Sequence, residues 1–348
     1  THTAVADEYM KGQLKFNRNG ATGAVVNEGE LRAALGGYIA LLAPEVRNQG
    51  LIVANLGTVA LAAGDAYELQ FDGQGALSNV RVTPATLNTL VENKQAIQAP
   101  GGFVIMSAQA ASRMQSAVVS NAGRIEATGL VSRAGRILLE ATTKVLNSGL
   151  LSVNAGSDGS PAGNVQIKAP LIENSGTISA TNHAAANTSG NNPAANLSHI
   201  SIEGEQFTQT ASGVLNVSAV NTWAGQVTLQ VTDSIYMGGS VLANSLMGSG
   251  QSTSYVLGNA VGGQVNMKAT RRIDFEAAVL DASGADGGGR VHVNAPGLPA
   301  DNSNNQLPLH GVVAMTNTTV IRVNSQRAQA GRVEVEGDDI SLNNTRIE

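Results

Sequence analysis

Residues 36–64, GGYIALLAPEVRNQGLIVANLGTVALAAG, return to their starting phase after about twenty residues, a recurrence that leaves few folds open. Ile39 and Leu41 alternate with Tyr38 and Ala40, which puts the two pairs on opposite faces of a strand. Glycine interrupts the run too often for a helix. A corner follows at Val46-Arg47-Asn48-Gln49-Gly50, then Ile52 and Ala54, then Gly57 with Val59 and Leu61 behind it. One such unit cannot bury its apolar face alone, so successive units must stack as a solenoid.

Further copies follow. A degenerate one carries Val25, Val26, Asn27, Gly29 and Leu31, and fuller ones begin at Gly102, Gly135, Gly163, Leu197, Gly225, Gly263, Gly289 and Gly331. Aligned turn on turn, they predict an all-β parallel β-helix of about ten or eleven coils, layered at about 4.8 Å, with extra-helical insertions. Composition fits: 42% of the chain is hydrophobic but only 3% aromatic, with 40 glycines, as thin identical layers of small and β-branched residues require.

The corners repeat as strongly as the strands. Asn27, Asn48, Asn121, Asn147 and Asn174 each stand two residues before a glycine, while Asn317 and Asn343 keep the phase with threonine in its place. Asparagine tolerates tight bends and bonds neighbouring backbone, so the seven are expected to stack as a structural corner ladder.

Where the pattern breaks, extra structure is expected. AYELQF within residues 64–101 reads as a strand, and Thr83-Pro84 before ATLNTLVEN reads as a helix start, the whole segment packing outside the coil. Segments 157–162, 182–196, 244–261 and 296–311 read as insertions after the second strand of a turn, emerging along a single edge.

Charge and chemistry narrow the function. A net charge of -5 with 14% charged residues offers no concentrated basic face, so no nucleic-acid partner is expected. No run is long and apolar enough for a transmembrane helix, and the absence of cysteine removes disulfides and cysteine-ligated zinc. Parallel β-helices also serve polysaccharide-cleaving enzymes, which need clustered acids on one exterior face. The acidic candidates are Glu126 with Glu140, Asp281 with Asp286, and Asp338 with Asp339. The first pair reads as solvated outward carboxylates, and the 281–286 loop lacks the ligand spacing of a calcium site. His199 and His292 occupy different phases of the repeat, His183 and His310 lie in insertions, and His2 is terminal. The expectation is no catalytic residue, no metal and no cofactor. Aromatic side chains are the usual handle for sugars, and Trp223 and Tyr255 are the candidate ligand-binding residues.

The stretch from Gly36 through FDGQG, followed by LVENKQAIQAPGGFVIMSAQAASRMQSAVVSNAGRIEATG, resembles the secretion domain of two-partner-secretion exoproteins of the filamentous-haemagglutinin type. The resemblance is strong over 16–129 and generic beyond, which suggests a partial secretion domain of the haemagglutination-activity type at 1–130 and a repetitive β-helical stem at 131–348. The family's Asn-Pro-Asn-Gly segment is missing, Asn17-Arg18-Asn19-Gly20 does not replace it, and neither end shows a polar cap. A fragment of a longer protein is therefore expected.

The resemblance implies a right-handed coil exported from a Gram-negative bacterium through an outer-membrane transporter. It also implies a secreted or cell-surface adhesin that binds cells, host-surface glycan or the exopolysaccharide of a biofilm matrix. The alternatives are a β-helical polysaccharide-active enzyme, or the stem of a contact-dependent toxin or haemolysin.

Overall fold

Val25, Val46, Val91, Val119 and Val145 sit in successive turns and pair directly, each on the next, in parallel. The last four are completely buried. The computed structural model describes residues 2–112, 114–183, 198–247, 260–299 and 308–348. They form two compact units, Thr1–Ile172 and Glu173–Glu348.

In the first unit each turn is three short strands. Glu45–Asn48, Leu51–Val53 and Thr58–Ala63 make one turn, and Thr89–Asn93, Ala96–Gln98 and Phe103–Ala108 make the next. Their equivalents pair in register, so inward residues form columns: Ile52 on Ile97 on Ile125 on Leu151 at the second strand, and Leu61 on Met106 on Leu139 on Ile167 at the third. Each such side chain leaves water almost entirely, worth about 1.5–3 kcal/mol apiece. Stacking of this kind suits small and β-branched side chains at most inward positions, in keeping with the 3% aromatic content.

Outside this coil lies an antiparallel sheet in which Thr3–Ala4 pairs with Leu14–Asn17, then Ala66–Phe71, then Leu77–Thr83. It packs Tyr67, Leu69, Leu77 and Val80 on the outward residues Ala60, Ala62 and Ile105 of the third strands. The strand Thr58–Ala63 is therefore buried on both faces, with alanine outward where the sheet must approach. AYELQF is a strand of this sheet, but the expected helix at Thr83-Pro84 does not form. Thr83 ends a strand, and Thr89, Val91 and Asn93 point inward at period two with paired strands on both sides. That tertiary pairing overrides the local N-cap signal.

The second unit repeats the scheme. Ile178, Leu215, Val241, Leu280 and Ile321 form its second-strand column, all completely buried. His199–Gln209 and Gln226–Met237 are long because each carries the third strand of one turn straight into the first strand of the next. The first unit holds five turns, and the second holds five and the opening strands of another.

Here the outward residues of the third strands are polar. His199, Gln226, Gln264, Arg290 and Arg332 form one column and Ser201, Thr228, Asn266, His292 and Glu334 the next. A further small sheet, Asn182–His183 with Ala219–Val220 and Ser245–Leu246, follows the second strands.

The insertions do not share one edge. Segment 157–162 follows a second strand, as do the openings of 182–196 and 244–261, most of whose residues lie outside the described ones. Segment 296–311 instead follows the third strand Arg290–Ala295 and leads into the first strand Val312–Thr316 of the next turn. Its base is held by mutual backbone bonds between Leu298 and Leu309.

Candidate functional site

The corner residues form the most ordered polar feature of the first unit. Asn27 Nδ2 donates to Asn48 Oδ1, Asn48 to Asn93, Asn93 to Asn121 and Asn121 to Asn147, each at 2.8 Å. All five are buried, and the second amide protons of Asn48, Asn93, Asn121 and Asn147 reach corner carbonyls, such as Ala96 O at 3.3 Å and Leu150 O at 3.4 Å. The ladder satisfies its own buried polar groups and presents none to a ligand.

In the second unit Asn174 Nδ2 donates to Gln209 Oε1 at 3.1 Å, and Gln209 Nε2 ends the run on Gly238 O at 3.0 Å. Beyond it the column turns apolar, through Met237, Phe275, Met315 and Leu342.

Two expected members are corrected. Asn317 and Asn343 are exposed and lie outside the column, with Asn317 Nδ2 bonded to Glu276 at 3.2 Å. The corner after Met315 is longer than its counterparts and passes through left-handed Asn317 and Thr318, at φ 53° and 64°. Counting back from the second strand therefore lands on its tip. Asn93 was missed because Gln95 stands where the pattern has glycine, and Gln209 because it is not asparagine. The signal that finds Asn93 is its place four residues before the inward Ile97.

The acidic candidates do not converge. Glu126 is paired with Arg124 at 2.6 Å on the outer face. Asp281 Oδ1 accepts the Ser283 N–H at 2.9 Å, while Asp286, with its side chain only 4% exposed, accepts the Ala260 N–H at 3.1 Å and faces Arg327 at 3.8 Å. A guanidinium beside that carboxylate opposes a cation there. Asp338 accepts the Gly311 N–H at 2.8 Å. Among the described residues no group of three or more His, Cys, Asp or Glu is placed to hold a metal. His199 Nε2 lies 3.0 Å from Thr228 Oγ1, and burial pulls its pKa down; His292 lies 3.5 Å from Glu336 in a different column.

Trp223 sits half-buried in the corner between Ala219–Val220 and Gln226–Met237. Tyr255 lies outside the described residues.

The aromatic side chain that sequence reasoning passed over is Tyr236. It points outward from Gln226–Met237 and is 39% exposed. Its column neighbours are Thr208 and Asp274, and Ser234, two residues before it, is flanked by Gln206 and Arg272. Asp233 beside it accepts two bonds from Arg271, at 2.6 and 2.9 Å, one from Ser234 Oγ at 2.9 Å and one from Gln206 at 3.4 Å. The Arg271 hydrogen bonds hold its carboxyl below the usual carboxylate range. The sequence marks this site only by a tyrosine at an outward strand position.

Residues 1–153 match the family model of the TPS secretion domain. No curated protein matches the chain. Among solved structures, the crystal structure of the HMW1 secretion domain from Haemophilus influenzae is similar at a TM-score of 0.50 and 16% identity, over 100% of this chain and 73% of that one. At that identity the likeness concerns the fold.

Proposed function

We propose that the chain, whose residues 1–153 match the family model of the TPS, or two-partner secretion, secretion domain, is part of an adhesin. A domain of this family implies recognition by an outer-membrane transporter and export across the outer membrane of a Gram-negative bacterium. In this reading the region of the secretion domain addresses the chain to its transporter. The stem that follows presents a lateral surface at the cell surface or in the matrix, without catalysis.

The observation that carries the attachment role is the bare polar face of the second unit. Its outward columns His199–Gln226–Gln264–Arg290 and Ser201–Thr228–Asn266–His292 offer hydrogen-bonding side chains repeated at each layer. A regular polar array of this kind fits a regular polar polymer, an exopolysaccharide or a host-surface glycan. Trp223 is proposed as a stacking residue at its margin.

Purified chain coupled to beads tests the reading. Retention of the beads on immobilised exopolysaccharide or on host cells, with no release of reducing ends, is expected. Absence of retention on every surface, or steady release of reducing ends, overturns it. Export is tested separately, by secretion of the chain into the medium only when the cognate transporter is co-expressed.

A further inference from the structure

We propose that Tyr236, with Gln206, Thr208, Arg271, Arg272 and Asp274, forms a subsite for one pyranose unit of a polysaccharide. The inference rests on the adhesin reading and assigns it a place.

A pyranose has two kinds of surface: a flat face of C–H groups, and an edge of hydroxyls with fixed directions. Recognition needs an exposed aromatic ring for the first and pre-set donors and acceptors for the second. Tyr236 supplies the ring, on a strand whose inward neighbours Ile235 and Met237 are buried and anchor it. Thr208 stands one layer to one side of it and Asp274 one layer to the other, about 4.8 Å away in each direction.

The polar edge is held before any ligand arrives. Arg271 is fixed on Asp233 through Nε and Nη2, which leaves its Nη1 without a partner among the described residues. Arg272 is fixed on Asp274 through Nε at 2.6 Å, and its two Nη groups likewise have no partner there. Ser234, its neighbour in the same strand, and Gln206 of the adjacent turn brace Asp233. Side chains locked in this way lose little freedom on binding, so their hydrogen bonds count more toward affinity. Aspartate and arginine are matched two to two across the site, which suits a neutral sugar better than a strongly charged one.

A protein partner fits less well. An interface core needs contiguous apolar area, and the outward neighbours in the two adjacent layers, Gln206, Thr208, Arg272 and Asp274, are polar.

The test uses the full chain on an array of immobilised bacterial exopolysaccharides and mammalian glycans. Tyr236→Ala should weaken the best retained glycan about tenfold, whereas Tyr236→Phe keeps the ring and should stay within about threefold of wild type. Circular dichroism should be unchanged in both, because the side chain is largely outside the core. Should wild type bind a glycan that Tyr236→Ala binds equally well, the subsite is wrong while the adhesin reading survives. Should wild type bind no arrayed glycan, the subsite falls together with the glycan form of that reading.

Discussion

Asn48 Nδ2 donates to Asn93 Oδ1 at 2.8 Å, joining two corners that lie 45 residues apart in the chain. Between them the polypeptide completes a turn and leaves the coil to build two strands of the outer sheet. It then returns in register. The bond lies where a slip of one residue would turn every inward side chain of Thr89–Asn93 outward, so the ladder helps to fix the re-entry.

Replacing Asn93 with alanine should therefore be costly. The change strands the amide of Asn48 and the carbonyl oxygen of Asn121, both in fully buried residues, at about 1–3 kcal/mol for each unsatisfied group. Asn93→Asp should also destabilise, because a carboxylate oxygen would face the Asn121 oxygen. Asn317→Ala removes an exposed bond and should stay within about 0.5 kcal/mol. Urea unfolding midpoints of the three variants give the comparison, and equal shifts for Asn93→Ala and Asn317→Ala would refute the ladder's role.

The corner glycines are not equivalent. A Cβ on Gly50 would stand 2.0 Å from Gly29 O, so the next layer forbids it, whereas a Cβ on Gly29 meets nothing within 4 Å. Gly50→Ala should lower the melting temperature by many degrees or prevent folding. Gly29→Ala should be neutral, or stabilising by about 0.4–1 kcal/mol through the unfolded chain. The pair is decisive because both residues look alike in the Asn-x-Gly pattern.

What the sequence made legible was whatever recurs. The inward columns through Ile52, Ile97 and Ile125 follow from alternation and spacing, and so do most of the corner asparagines. What it hid was whatever depends on the neighbouring layer. Asn93 carries no glycine signal, yet it bonds both adjacent rungs, and Asn317 carries a matching spacing on a corner that is too long. Thr83-Pro84 looks like a helix start only until its two partner strands are known. Tyr236 was illegible for the same reason: Gln206, Arg271 and Asp274 come from different turns, and only stacking brings them around it.

Tyr67 should make the first unit sensitive to alkali. Its hydroxyl accepts the Gly64 N–H at 2.8 Å and donates to Ala43 O at 3.0 Å, and burial raises its pKa above the ordinary phenol value. A raised pKa means that the folded state keeps a proton that the unfolded chain gives up. The contribution is thus complete below the unfolded value of about 10 and is lost progressively as the pH rises beyond it. Stability measured from pH 8 to 11 should fall above about 10 in wild type and fall less in Tyr67→Phe. That variant should also lose about 1–3 kcal/mol at neutral pH from the unpaired Ala43 and Gly64 groups. A parallel decline in both proteins would remove Tyr67 as the cause.

The outer sheet makes the sharpest distinction between the two units. Ala62 points outward from its strand, yet it is completely buried beneath the antiparallel sheet, while Gln264, outward on a third strand of the second unit, is exposed. A glutamate at either position would be harmless on a solvated β-face. Ala62→Glu should instead drive a charge and four extra heavy atoms into a packed contact with Tyr67 and Val80, destabilising the first unit by more than about 3 kcal/mol or detaching the sheet. Gln264→Glu should change stability by less than about 0.5 kcal/mol. Limited proteolysis reads the outcome directly: Ala62→Glu should open cleavage within residues 66–83, and Gln264→Glu should leave the wild-type pattern. If Ala62→Glu were equally resistant, the sheet would have to be held by its own strand pairing with Leu14–Asn17, and not by its seat on the coil.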